Sequence, residues 1–124
     1  MTTVVDASVI LAWLQDEAGA DDAEGQLMEG VIGAANWSEV LQKARQHGVD
    51  AELVARLLTS FGIEVADVIE ADGRSAAALW GIGSSLSLAD RLCLALGLRL
   101  GLPVATADNA WADAAGGPEV ILIR

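Results

Sequence analysis

The chain carries one cysteine, one histidine, one phenylalanine, no tyrosine and two prolines in 124 residues. Cys93 therefore has no internal disulfide partner, and its place in the apolar run Leu92-Cys93-Leu94-Ala95-Leu96 makes it a small buried hydrophobe. Positive charge is scarce as well. Seven lysines and arginines face eighteen aspartates and glutamates, for a formal net charge of -11. A nucleic-acid binder draws affinity from basic side chains that displace counterions, so this surface does not attract RNA broadly. A ligand of that kind would need divalent cations bound among the acids, or a basic partner, to offset the charge locally. Long hydrophobic runs are missing too. The most apolar stretch, Leu86 to Val104, is broken by Asp90, Arg91, Arg99 and Pro103, which excludes a membrane span there. The N-terminus has no basic stretch ahead of its apolar residues and meets Asp6 at once, so no signal peptide is expected and the cytoplasm is the default location.

What is present is a folding composition, 53% hydrophobic and 20% charged, at a length that buries one core. A single domain over residues 1–124 is expected. Thr2 to Asp6 reads as a strand, and Ala7 to Leu14 as a helix. An acidic exposed helix entered at Gly19 and a brief strand from Val31 to Ala35 follow. Asn36 is expected to cap the next helix, with Glu39 in the reciprocal capping position and Gly48 at its end. Asp50 caps a helix stopped by Gly62, Ile63 to Ala66 alternates like a strand, and Ala71 to Ile82 reads as helical. Ser87 caps the most apolar helix, Leu88 to Leu100, which Gly101 closes. Two further strands are expected at Pro103 to Thr106 and Glu119 to Ile123. This alternation predicts an α/β fold with a mainly parallel sheet between helices.

In such sheets the functional crevice lies beyond the carboxyl ends of the strands, where Asp6 and Asp108 fall. Each acid also has a purely structural reading. Asp6 suits a helix cap, Glu39 a partner of Asn36 and Lys43, and Asp108 a turn bonding its own backbone. Asp90 sits among apolar neighbours, where an ionised carboxylate needs a partner; the first turn behind Ser87 offers one and a metal a stronger one. His47, next to Gly48, reads as a helix C-terminal dipole partner. Together, Asp6, Glu39, Asp90 and Asp108 would form an all-oxygen pocket. Carboxylates without a thiolate or imidazole cluster select Mg²⁺ or Mn²⁺ over zinc, and cations so held suit phosphodiester hydrolysis.

Four segments carry a resemblance to a known family: Val4-Val5-Asp6-Ala7-Ser8, Ala35-Asn36-Trp37-Ser38-Glu39-Val40, Ser87-Leu88-Ala89-Asp90, and Gly101 to Asp108. In this order and at this spacing they resemble the PIN domain, and within it the VapC-type toxins of bacterial toxin-antitoxin pairs, across essentially the whole chain. The resemblance implies a Mg²⁺- or Mn²⁺-dependent endoribonuclease with Asp6, Glu39, Asp90 and Asp108 as metal-binding and catalytic acids. It implies supporting roles for Ser8, Thr106 and Asp113, a homodimer, and a cognate antitoxin with a basic segment. Two features depart from the pattern: the strongly negative charge, and Asn109 where the family often has a basic residue. Arg45, Arg56, Arg74, Arg91 and Arg99 are the candidate phosphate contacts. Two other readings stand beside this one. The first is a PIN-like module that binds partners without catalysis. The second is a receiver-type phosphoacceptor domain, which would need a lysine near the late strands, whereas the single lysine, Lys43, lies early.

Overall fold

The computed structural model describes residues 2–81, 84–113 and 116–124, without the side chains of residues 112 and 113. Its frame is a five-stranded sheet in the order β3-β2-β1-β4-β5, with every pairing parallel. The strands are β1 (Val4–Val5), β2 (Val31–Gly33), β3 (Glu64–Ala66), β4 (Val104–Thr106) and β5 (Val120–Leu122). The inner strands are continuous apolar runs because helices cover both faces of the sheet. Val4, Val5, Val104 and Ala105 are all 0% exposed. Successive strand residues point to opposite faces and seed two separate cores. Val5, Ile32 and Ala105 pack with the helices α1 (Ala7–Leu14), α2 (Ala20–Leu27), α3 (Ala34–Gln46) and α4 (Ala51–Ser60). Val4, Val31 and Val104 pack on the other side with Cys93, Leu94 and Leu96 of α6 (Leu88–Leu100) and with Trp111.

The remaining helix, α5 (Glu70–Ala78), lies along α6. A buried ion pair ties the two: Arg99 Nε meets Asp72 Oδ1 at 2.8 Å, and Arg99 Nη2 donates to Asp72 Oδ2 and to the Asp67 carbonyl, both at 3.1 Å. Burial works against the Asp72 carboxylate, but Arg99 and the Ile69 amide hold its pKa below the ordinary value. Close approach of α6 to the sheet requires Gly97, where an added Cβ would stand 2.5 Å from Val104 Cγ2.

The expected elements are present, with shifted ends. The helix that carries Glu39 begins at Ala34, with Gly33 as its cap, so Asn36 lies inside the first turn and is not the cap. The helix expected over Ala71 to Ile82 runs from Glu70 to Ala78. Among the described residues no helix is long and apolar enough to cross a membrane.

The strand order reverses once. The chain moves outward from β1 to β2 and β3, then returns to lay β4 on the other side of β1. The gap between β1 and β4 is thus the switch point, where connections leave in opposite directions and open a crevice at the carboxyl ends. Asp6 follows β1 and Thr106 ends β4.

Candidate active site

Asp6 stands in the N-cap position of α1 but makes no side-chain cap; its backbone carbonyl serves the Val9 amide instead. Its carboxylate, 5% exposed, turns to the crevice. Two hydroxyls donate to one oxygen of it, Ser8 Oγ at 2.6 Å and Thr106 Oγ1 at 3.0 Å, both to Oδ2. A hydroxyl has one proton to give, and here backbone donors fill the lone pairs behind each. The Ala107 amide donates to Ser8 Oγ at 2.9 Å, and the Asp108 amide donates to Thr106 Oγ1 at 3.1 Å. The loop after β4 therefore aims both protons at Asp6. Ser8 and Thr106 are 3.2 Å apart, with their protons already committed.

Glu39 is set by Asn36, which is 1% exposed. Asn36 Nδ2 donates to Glu39 Oε1 at 3.1 Å and to the Ala89 carbonyl at 3.3 Å, so one amide group fixes Glu39 and the start of α6 together. Sequence reasoning took Asn36 for a cap and missed this positioning role. An apolar neighbourhood around an asparagine three residues before a glutamate was the only signal for it. Asp90 is held by the reciprocal cap of α6: Ser87 N donates to Asp90 Oδ2 at 2.9 Å, and Asp90 N donates to Ser87 Oγ at 3.1 Å.

Charge acts between these acids at Asp6 and at Glu39. Burial raises the Asp6 carboxyl from 3.8 to about 6, against the two hydroxyl bonds that lower it; the charges of Asp90 and Glu39 add to the rise. The Glu39 carboxyl is also raised, by burial first, with Asp90 adding and the Asn36 bond and Lys43 opposing. Beneath them, burial pushes the Cys93 thiol well up, and all three acids push it further, which makes it an inert neutral core group.

Asp108 stands apart. It is exposed, and its Oδ1 accepts from the Ala110 amide at 2.9 Å, the local turn bond. Its link to the other acids runs through its own amide and Thr106 to Asp6. The side chain of Asp113, expected as an auxiliary, lies outside the described residues. His47 is the C-cap of α3, as its place beside Gly48 implied.

One pattern unites the four acids. Each commits one oxygen to a protein donor, and among the described residues no protein group donates to the other. All-carboxylate donors with free oxygens match the chemistry of a hard divalent cation. Convergence is incomplete, however: among the described residues no three His, Cys, Asp or Glu side chains close on a point that could hold a metal ion. The expected four-acid ligand set is therefore gathered only in part: Glu39 and Asp90 lie near enough to Asp6 for their charges to act on it, and Asp108 stands exposed beside them.

A wholly parallel sheet with acids collected past its central strand defines an α/β domain with an acidic crevice at the switch point. The model of the PIN domain matches residues 3–117, and the chain belongs to that family. The receiver-type reading falls with this finding. No curated protein matches the sequence. Among solved structures, a toxin-antitoxin complex from Klebsiella pneumoniae is similar at a TM-score of 0.76 and 21% identity, over 98% of both chains. VapBC2 from Rickettsia felis, bound to a DNA fragment from its promoter, is similar at a TM-score of 0.70 and 12% identity, again over 98% of both chains. VapBC-5 from Mycobacterium tuberculosis is similar at a TM-score of 0.59 and 20% identity, over 99% of this chain and 98% of that one. At these identities the likeness is one of fold.

Proposed function

We propose that this protein is a Mg²⁺- or Mn²⁺-dependent endoribonuclease and the toxin of a VapC-type toxin-antitoxin pair. The observation that carries the reading is the set of acids Asp6, Glu39 and Asp90, near enough for charge to act between them, each with a single oxygen left without a protein donor among the described residues. A bound divalent cation would supply Lewis acidity to the scissile phosphodiester and to the attacking water. The chain's own residues prepare for it. Ser8 and Thr106 hold Asp6 in one orientation, Asn36 holds Glu39, and the Ser87 cap holds Asp90, so the free oxygens are set before any ligand arrives. Burial, with the neighbouring charge of Asp90, disfavours the ionised forms of Asp6 and Glu39, and that unfavourable charge becomes affinity for a cation. Asp108, at the rim, would contribute from the substrate side.

The partners follow from the same reading. The similar structures from Klebsiella pneumoniae and Rickettsia felis are described as toxin-antitoxin and VapBC assemblies, which supports a cognate antitoxin for this chain; the family resemblance is the ground for a homodimer. An antitoxin segment bearing arginine or lysine would neutralise the acids and displace both cation and RNA. The incomplete convergence of the acids favours a second reading, a PIN scaffold that binds its partner without catalysis. Incubation of the purified protein with labelled RNA decides between them. The nuclease reading expects cleavage with Mg²⁺ or Mn²⁺, none with EDTA, and none from folded Asp6→Asn or Asp90→Asn. Cleavage that survives EDTA overturns the metal requirement, and a wild-type protein inert with either ion points to the scaffold.

A further inference from the structure

The few cations of this chain are not spread evenly. Of the five arginines expected to meet phosphate, three are engaged within the protein. Arg74 pairs with Glu70 at 2.9 Å, Arg99 pairs with Asp72 at 2.8 Å, and Arg91 Nη1 donates to the Ala76 carbonyl at 2.8 Å. Three other basic groups gather in one place. Lys43 and His47, one turn apart at the end of α3, and Arg124, beyond β5, line a single depression of about 350 Å³ beside Ser8. Glu17 is the one acid on its wall, and among the described residues none of the three makes an ion pair.

This depression runs into the candidate active site. Ser8 and Arg124 also line the adjoining hollow that contains Asp108 and Asn109, and Ser8 Oγ donates to Asp6 Oδ2. On the other side Lys43 stands close enough to Glu39 for its charge to act on that carboxylate. Lys43 and His47 suit the carbonyl end of a helix wherever they occur. That role accounts for neither Arg124 nor the opening of the depression onto the acids. In a protein of net charge -11, a basic wall next to an acidic crevice is where a polyanion can approach.

We infer that the depression lined by Lys43, His47 and Arg124 is the subsite for backbone phosphates of single-stranded RNA flanking the scissile bond. The inference rests on the nuclease reading for the identity of the polyanion. Lys43 offers a point charge and Arg124 a planar fork for phosphate oxygens, while His47 offers a ring nitrogen donor at the far end. The strand would run from the α3 terminus past Ser8 to the acids, and among the described residues the basic side chains that line these two hollows are these three.

The test is fluorescence anisotropy of a short labelled single-stranded RNA, in an Asp90→Asn background that blocks turnover. Lys43→Ala and Arg124→Ala should each weaken binding roughly threefold and lower the slope of log affinity against log salt by about 0.7, as for one lost phosphate contact. Lys43→Arg should retain both values, and Arg45→Ala and Arg56→Ala, outside the depression, should change neither. With Asp90 intact, Arg124→Ala should raise KM and leave kcat in place. Affinity and slope unchanged in both alanine variants overturn the inference, as does no RNA binding by the parent. Unchanged RNA binding with a weakened hold on the co-expressed antitoxin also overturns it, and assigns the wall to an acidic protein segment. The two readings fail separately. Weakened RNA binding without cleavage by any preparation sinks the nuclease alone, and cleavage with an unmoved KM sinks the subsite alone.

Discussion

Thr106, at the end of β4, donates its hydroxyl to Asp6, just past β1, at 3.0 Å across a separation of 100 residues. The bond spans the point where the strand order reverses, so the first acid is oriented only once the sheet has assembled. A second donor, Ser8, comes from the first turn of α1. The site is therefore a property of the fold and not of any one segment.

Replacing Thr106 with valine removes a donor to Asp6 and strands the part-buried Asp108 amide that Thr106 accepts from. The hydroxyl bond lowers the Asp6 pKa, so its loss should move that carboxyl above the present value of about 6, as read by NMR titration. Stability should fall by about 1–3 kcal/mol, the cost of an unsatisfied buried donor. An Asp6 titration identical to the parent would show that the hydroxyl does not orient the acid.

Asp6 makes stability depend on pH with a defined sign. Its pKa is about 6 in the fold against 3.8 ordinarily, so between these values the native state holds more protons than the unfolded chain. Its favourable contribution is complete below 3.8 and is lost as pH rises through about 6. The loss should reach roughly 3 kcal/mol. Urea unfolding in EDTA at successive pH values should show the decline, and Asp6→Asn should remove it. A parent protein equally stable at pH 4 and pH 8 would contradict the burial argument.

Divalent cations should reverse that loss, because a ligand that binds only the folded state stabilises it. Mn²⁺ should raise the thermal midpoint of the parent at pH 8 and should do so less below pH 6, where Asp6 takes a proton instead. Glu39→Gln and Asp90→Asn should each abolish most of the rise. An equal rise in all three proteins would place the cation elsewhere.

Much of this was legible in residue order. Apolar runs separated by helical periods gave an α/β sandwich, and the Ser87 to Asp90 capping pattern marked the start of α6 correctly. Strand ends placed Asp6 and Asp108 at the carboxyl edge. Other features depend on neighbours that sequence does not place. Asn36 has the composition of a cap, but Gly33 already supplies the extended residue before the helix, which frees the Asn36 side chain to reach the Ala89 carbonyl. Three of the five arginines chosen as phosphate contacts are spent on Glu70, Asp72 and the Ala76 carbonyl, and only tertiary packing reveals such partners. Asp108 follows its strand as expected, yet a local turn bond to Ala110 holds its carboxylate at the rim.

Gly97 sets how closely α6, the helix that begins with Asp90 in its first turn, approaches β4. A methyl group there meets Val104 Cγ2 at 2.5 Å, Pro118 Cγ at 3.0 Å and the Leu102 carbonyl oxygen at 3.1 Å. Gly97→Ala should cost about 1–3 kcal/mol by overpacking and should weaken Mn²⁺ binding by displacing the helix. Full stability by thermal unfolding would show that α6 yields without strain.

The most direct measurement is the anomalous difference map of a crystal soaked in Mn²⁺. The account predicts a peak among Asp6, Glu39 and Asp90, bounded by the oxygens that have no protein donor, and its loss in Asp90→Asn. A peak elsewhere on the molecule, or none at saturating Mn²⁺, would contradict it.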